Sequence, residues 1–192
     1  MRVAVKVVII GICLAGVALL GACASKSTGT ASPAPSPPKL TPREQATAYF
    51  KQLTPVVKAH DAVGKKMDKL HIGLSSRDDA YSIAAAIKSS YLPAVEQARG
   101  ELAAVKPPPA FRAAHARIRK VLALEDDALY FLWHALQDGV YAHTLEPGFE
   151  NKMERYIARL DKTARKYNVA MRAAAKRSGV KVPKLLLAEF SH

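Results

Sequence analysis

Acidic residues are scarce in this chain, cysteine is scarcer, and tryptophan occurs once. The 192 residues hold 16 Asp and Glu against 29 Lys and Arg, with two Cys and one Trp. Each shortage excludes something. Both cysteines, Cys13 and Cys23, lie in the first 23 positions, so everything beyond has no thiol. That part can form no disulfide and no cysteine metal site, and its stability must come from packing. Long apolar runs are missing too, apart from residues 7–20. There is no Cys-x-x-Cys-His, no His-Glu-x-x-His, no phosphate-binding glycine loop and no Gly-x-Ser-x-Gly elbow. No catalytic signature is therefore present, and the chain reads as a non-enzyme.

The one apolar run follows Arg2 and Lys6 and ends in Leu20-Gly21-Ala22-Cys23. A basic start, an apolar stretch of 7–15 residues and small residues before a cut make a secretory signal. The four closing residues resemble the lipobox of bacterial lipoproteins, a resemblance that covers residues 1–23 only. It implies removal of residues 1–22, acylation of Cys23 with palmitate-like chains, and a new N-terminus at that cysteine. No other cofactor is expected. It also implies an extracytoplasmic location on the cell membrane or, where the host has one, the outer membrane; Ala24 rather than Asp after the cysteine favours the latter. Two or three acyl chains hold a protein firmly, since each buried methylene contributes about 0.8 kcal/mol. The alternatives are an ordinary signal peptide cut after Ala24, or an uncleaved anchor at the short edge of the ~20 residues a spanning helix needs.

Residues 23–40 carry the lipidated cysteine and a Pro/Ser-rich linker, SKSTGTASPAPSPPK. It has nothing to bury and reads as an extended spacer of up to ~45 Å, at ~3.1 Å per residue. Residues 41–192 follow as one domain, large enough for a real core. Thr41-Pro42-Arg43-Glu44 is a helix start, with Thr as cap, Pro at the first turn and Glu three residues on.

Four helical segments are predicted, without strand alternation between them. The first, over 42–72, has the apolar seam Ala46, Phe50, Leu53, Val57, His60, Gly64, Met67, His71, Leu74, stepping by four and three. The second opens at Ser75 or Ser76 with Asp78 and Asp79 and runs to about Val105. Its seam is Ala80, Ile83, Ile87, Tyr91, Ala94, Ala98, Leu102 and Val105, with Pro93 off it. The third runs from Pro109 to about 138 through Phe111, His115, Ile118, Leu122, Glu125, Leu129, Leu132 and Leu136. The fourth opens at Pro147 and uses Phe149, Met153, Tyr156, Leu160, Ala164, Tyr167, Met171 and Ala174, stopping near Ser178-Gly179. Short connections make neighbours antiparallel, so the expected fold is all-α, an up-down-up-down four-helix bundle. The short tail, 184–190, is expected to fold back over the end where the fourth helix finishes, or else to serve as a partner-binding peptide.

His60 and Glu125 are the unexpected residues on these seams, whereas His115 on the third reads as a core filler. His60 lies 18 positions into the first helix and Glu125 lies 16 into the third, so they fall at nearly one height. A mid-bundle layer of His60, Glu125 and Tyr91 is predicted, with Thr163 as a further member. A buried carboxylate needs a partner or a proton, and histidine supplies one. The layer either fixes helix register or offers a metal or small-cofactor site; two ligands are too few to hold a metal tightly. A second group, His71, Asp78, Asp79, Asp138 and His143, falls at the end away from the linker. His71 is the weak metal candidate there, although acids in a helix's first turn are favoured by its dipole alone.

The outer face of the fourth helix is the strongest charge feature. Arg155, Arg159, Lys162, Arg165, Lys166, Arg172 and Lys176 stand there with few acids among them. All but two of the 29 basic residues stay with the mature part, as do all 16 acids. Such an excess is an argument about partners. An extracytoplasmic address and the lack of any recognisable nucleic-acid motif exclude nucleic acid. The expected partners are the membrane, through its anchor and anionic headgroups, and an anionic envelope polymer or another envelope protein. The alternative is a helical bundle that binds a metal or small cofactor at His60 and Glu125 or at the His71 end.

Overall fold

The computed structural model describes residues 39–68, 76–137 and 148–188. The predicted lipobox and most of the linker lie outside them. So do His71, Asp138, His143 and Pro147.

Helix α1, Pro42–Asp68, begins with the expected capping box. The Thr41 N–H donates to Glu44 Oε2 at 2.8 Å, and the Glu44 N–H donates to Thr41 Oγ1 at 3.3 Å. The Thr41 N–H and the Thr41 hydroxyl both donate to Glu44 Oε2 and favour its ionised form, so the exposed Glu44 carboxyl titrates below its ordinary value. Pro55 sits inside α1 on its exposed face. The Lys51 carbonyl that loses a helical donor there belongs to a residue that is itself exposed.

Ser76 caps α2, Arg77–Ala86, and Asp79 completes a second capping box. A π turn, Ile87–Tyr91, joins α2 to α3, Leu92–Ala104. Proline supplies the cause. Pro93 has no N–H and its ring crowds the carbonyl four residues back, on Ser89. The chain widens by one residue just before it, and the Leu92 N–H reaches the Ile87 carbonyl, five positions earlier. The seam changes accordingly. Leu92 and Val95 join the core, whereas the expected Ala94 is only half-buried.

After three prolines, a 3₁₀ turn at Pro109–Phe111 leads into α4, Arg112–Gln137. The last long helix, α5, spans Phe149–Arg177. The opening expected at Pro147 lies outside the described residues. Gly148 caps α5 at φ 102°, a conformation that costs side-chain-bearing residues dearly, so glycine decides where this helix starts. Its far end closes with the N–H of Val180 on the Ala175 carbonyl and that of Gly179 on Lys176, with Gly179 at φ 65°.

The result is an all-α four-helix bundle in which the α2–π–α3 segment counts as one helix. Helix α1 packs on α3, α2 and α3 pack on α4, and α4 packs on α5. On the remaining side, a 3₁₀ turn at Lys184–Leu186 packs on α1. It is held to α5 by a hydrogen bond from Tyr167 Oη to the Leu186 carbonyl, 2.6 Å. The predicted fold-back of the tail is therefore seen as far as residue 188. It is deeper than expected, because it closes a wall of the bundle rather than covering its end.

Two apolar clusters fill the interior. One, in the linker-proximal half, joins Tyr49, Phe50, Leu53, Phe111, Leu122, Met171 and Leu186. The other, in the far half, joins Ile83, Ile87, Tyr91, Leu129, Leu136, Phe149 and Met153. Phe111 is fully buried and meets Tyr49 and Phe50 at ring-centroid distances of 5.0 and 5.3 Å. Among the described residues both clusters are assembled from positions 46–186, and α1 carries its own cap.

Candidate functional site

His60 and Glu125 meet where the two apolar clusters adjoin. His60 Nε2 lies 3.0 Å from Glu125 Oε2, and the side chains keep 13% and 19% exposure. The predicted pairing across α1 and α4 is present. Its physical basis is the parallel course of these two helices, which sets residues of similar depth at one level. Burial by itself disfavours the imidazolium. The Glu125 charge, its hydrogen bond and the nearby Asp61 charge outweigh that penalty, so His60 titrates above its ordinary value.

The other predicted members of this layer fare differently. Tyr91 is buried within the far apolar cluster. Thr163 does not join: its hydroxyl donates to the Arg159 carbonyl at 2.8 Å within its own helix. A threonine inside a helix has this local acceptor in reach at no cost in chain entropy, and here it wins over the bundle interior.

Sequence reasoning missed several buried polar groups. Asp61, 3% exposed, forms an ion pair with Lys65 one turn on, at 3.0 Å. Its clue was a carboxylate adjacent to a seam residue with a lysine four positions later. His115 sat on the predicted seam as a core filler. Its Nδ1 is 3.2 Å from Tyr49 Oη, a second α1–α4 contact below the first. Burial and the Arg119 charge push His115 below its ordinary value. Asn168 faces the tail with both ends of its amide. Its Nδ2 donates to the Ala188 carbonyl at 2.8 Å and its Oδ1 accepts the Ala188 N–H at 2.9 Å. That arrangement mimics one rung of a β-ladder.

Beside the His60–Glu125 pair lies a cavity of about 50 Å³. Helix α1 contributes Val56 and Val57 to its wall, α3 contributes Ala98 and Leu102, and α4 contributes Ile118, Val121 and Leu122. Tyr167 of α5 and the tail residues Leu186 and Ala188 complete it. Apart from the polar pair at its rim, the lining is apolar.

As a metal centre the pair stands alone. Among the described residues, no group of three or more His, Cys, Asp or Glu side chains is arranged to hold a metal ion. At the far end, Asp79 is engaged in capping α2 and Asp78 is exposed.

The basic surface is present as a face. Arg155, Arg159, Lys162, Arg165, Lys166, Arg172 and Lys176 are all exposed, opposite the buried Met153, Ala164, Tyr167 and Met171. At 3.6 residues per turn these cations fall on one side of α5, with Glu154 and Asp161 along its edge. No described helix is long and apolar enough to cross a membrane. Neither family models, curated proteins nor solved structures give a match to this chain.

Proposed function

We propose that this protein is a lipid-anchored, extracytoplasmic helical bundle that acts by binding in the cell envelope. Cys23 is its anchor, and the α5 face docks on anionic headgroups or an anionic envelope polymer. The observation that carries this reading is the exposure of seven cations on one face of a single helix. Near an anionic surface each cation contributes about 1 kcal/mol, so a cluster outweighs what scattered charges supply. The anchor half rests on residues 20–23 and on the Pro/Ser-rich composition of the stretch that follows them.

Docking is tested with residues 39–192 and vesicles containing phosphatidylglycerol. Binding is expected at low salt and should fade as ionic strength rises and the Debye length shortens. Replacing Arg159, Lys162 and Lys166 together by Gln should weaken it roughly 100-fold, at about 1 kcal/mol for each charge and 1.4 kcal/mol for each tenfold. Binding that ignores both salt and the triple replacement defeats the docking role.

The anchor has its own test. Intact mass of the protein purified from its host should give an N-terminus at Cys23 carrying acyl chains, and Cys23→Ala should release the protein from membranes. A mature N-terminus elsewhere, or an unmodified cysteine, defeats the anchor.

A further inference from the structure

We infer that the cleft between α4 and α5 lined by Asp126, Asp127, Tyr130, Phe131 and Tyr156 binds one neutral hexopyranose unit of a glycan, stacked on the Tyr130 ring. The inference rests on neither the anchor nor the docking of the α5 face.

Helical spacing builds the cleft. Tyr130 and Phe131 stand one turn beyond Asp126 and Asp127 on α4. Side chains on a helix lean toward its N-terminus, so the two rings lie over the turn that carries the two carboxylates. Tyr156 of α5 closes the opposite wall, with its ring centroid 5.8 Å from that of Phe131. The space between measures about 350 Å³. A cavity that takes benzene measures about 150 Å³, so a single six-membered ring has room here together with its hydroxyls.

Tyr130 is a fixed platform. It is 51% exposed, yet Trp133 meets it edge-on at 5.3 Å and His134 lies at 4.9 Å between ring centroids. A ring held in this way has little conformational entropy left to lose when a ligand settles on it. The face of an aromatic ring is negative and attracts weakly positive hydrogens. One side of a pyranose presents a row of such C–H bonds, which an open-chain polyol cannot hold in a plane.

Charge and hydrogen bonding narrow the ligand further. The two carboxylates repel an anion. A cation fares no better, because Arg99 pairs with Asp126, Lys152 Nζ stands 4.3 Å over the Phe131 ring, and Arg155 and Arg159 are exposed beside Tyr156 on α5. The cleft is thus close to neutral and still rich in hydrogen-bonding groups. A carboxylate has about four lone-pair sites, of which Arg99 takes one on Asp126, and each tyrosine hydroxyl both donates and accepts. Adjacent sugar hydroxyls match that set. Asp127 and Tyr130 are exposed, so the cleft covers one face of a ring and leaves its other face outside, as a unit within a longer chain requires.

The test titrates the full chain, purified from its host in a detergent without a sugar head group, with the methyl glycosides of glucose, galactose, mannose and N-acetylglucosamine. Trp133, the only tryptophan in the sequence, stands against Tyr130 and reports binding through its emission. At least one glycoside should give a saturable change that is the same at low and high salt, which separates this site from electrostatic docking. Sorbitol, with hydroxyls but no ring, and tetramethylammonium should give none. Tyr130→Ala should weaken binding roughly tenfold while Tyr130→Phe keeps most of it, and Asp127→Ala should weaken it about fivefold. Both side chains are exposed, so the helical signal should stay unchanged. Should one of the two alanine variants lose that signal, the other carries the test. The methyl glycosides lack a free anomeric hydroxyl, as a chain unit does, so binding by the free sugars alone overturns the glycan assignment. Saturation by none of the glycosides, an equal response to sorbitol or tetramethylammonium, or a midpoint unmoved by the alanine variants overturns the inference.

Discussion

Glu125→Leu alone should lower the unfolding free energy by about 2–3 kcal/mol, while the double variant His60→Leu with Glu125→Leu should recover most of that loss. The single change removes the charged acceptor of a largely buried histidine. Hydrogen bonds to charged groups contribute roughly 1.5–3 kcal/mol, and the stranded partner then pays its own desolvation. Removing both ends leaves two apolar side chains at the junction of two apolar clusters. Buried ion pairs are often replaceable in this way at no net cost. Urea denaturation of the wild type, the two single variants and the double variant completes the cycle. Equal losses in single and double variants would show that the pair does more than satisfy itself.

The same set of proteins should differ in pH dependence. His60 titrates above its ordinary value, so its contribution is fully present below about pH 6.5, the unfolded value, and is lost as pH rises through the folded value. His115 titrates below its ordinary value, so stability falls as pH drops beneath about 6.5 and the unfolded chain takes up the proton first. These two histidines together place a maximum near the ordinary histidine range. In the double variant the decline on the alkaline side should disappear, while the decline on the acid side remains.

Leu186→Ala should cost about 3 kcal/mol, within the ~2–5 kcal/mol that truncation of a buried leucine brings. Leu186 is 1% exposed although it belongs to a short tail, and it is the apolar plug of the side between α1 and α5. Losing its side chain also enlarges the cavity. The tail's polar ties include Tyr167 Oη to the Leu186 carbonyl and the Asn168 amide to Ala188, while Val182, Leu185 and Leu187 pack less deeply against the same core. Net hydrogen bonds of about 1 kcal/mol each and these half-buried contacts hold the segment less firmly once its fully buried side chain is gone. Amide exchange at Ala188 should therefore quicken together with the drop in stability. A loss below about 1 kcal/mol, with exchange unchanged, would mean that the tail is ornamental to the bundle.

Helix starts and seams were legible in the sequence because their causes are local. Thr41 and Glu44, and Ser76 and Asp79, satisfy orphan N–H groups within one turn, and steps of three and four fix which side is buried. The level of His60 against Glu125 could also be counted, since it needs only helix direction and rise. What the sequence by itself determined was therefore the four helices, their buried faces and one polar pairing. Tertiary structure alone decided what happens where elements meet. It brought Tyr49 to His115, and turned Tyr167 and Asn168 toward the tail backbone. It also left a cavity beside His60. Helical periodicity repeats within one segment, but the rotation of one helix against the next and the path of a non-helical tail obey no period. They are settled by which side chains fill the remaining space and which polar groups find partners there.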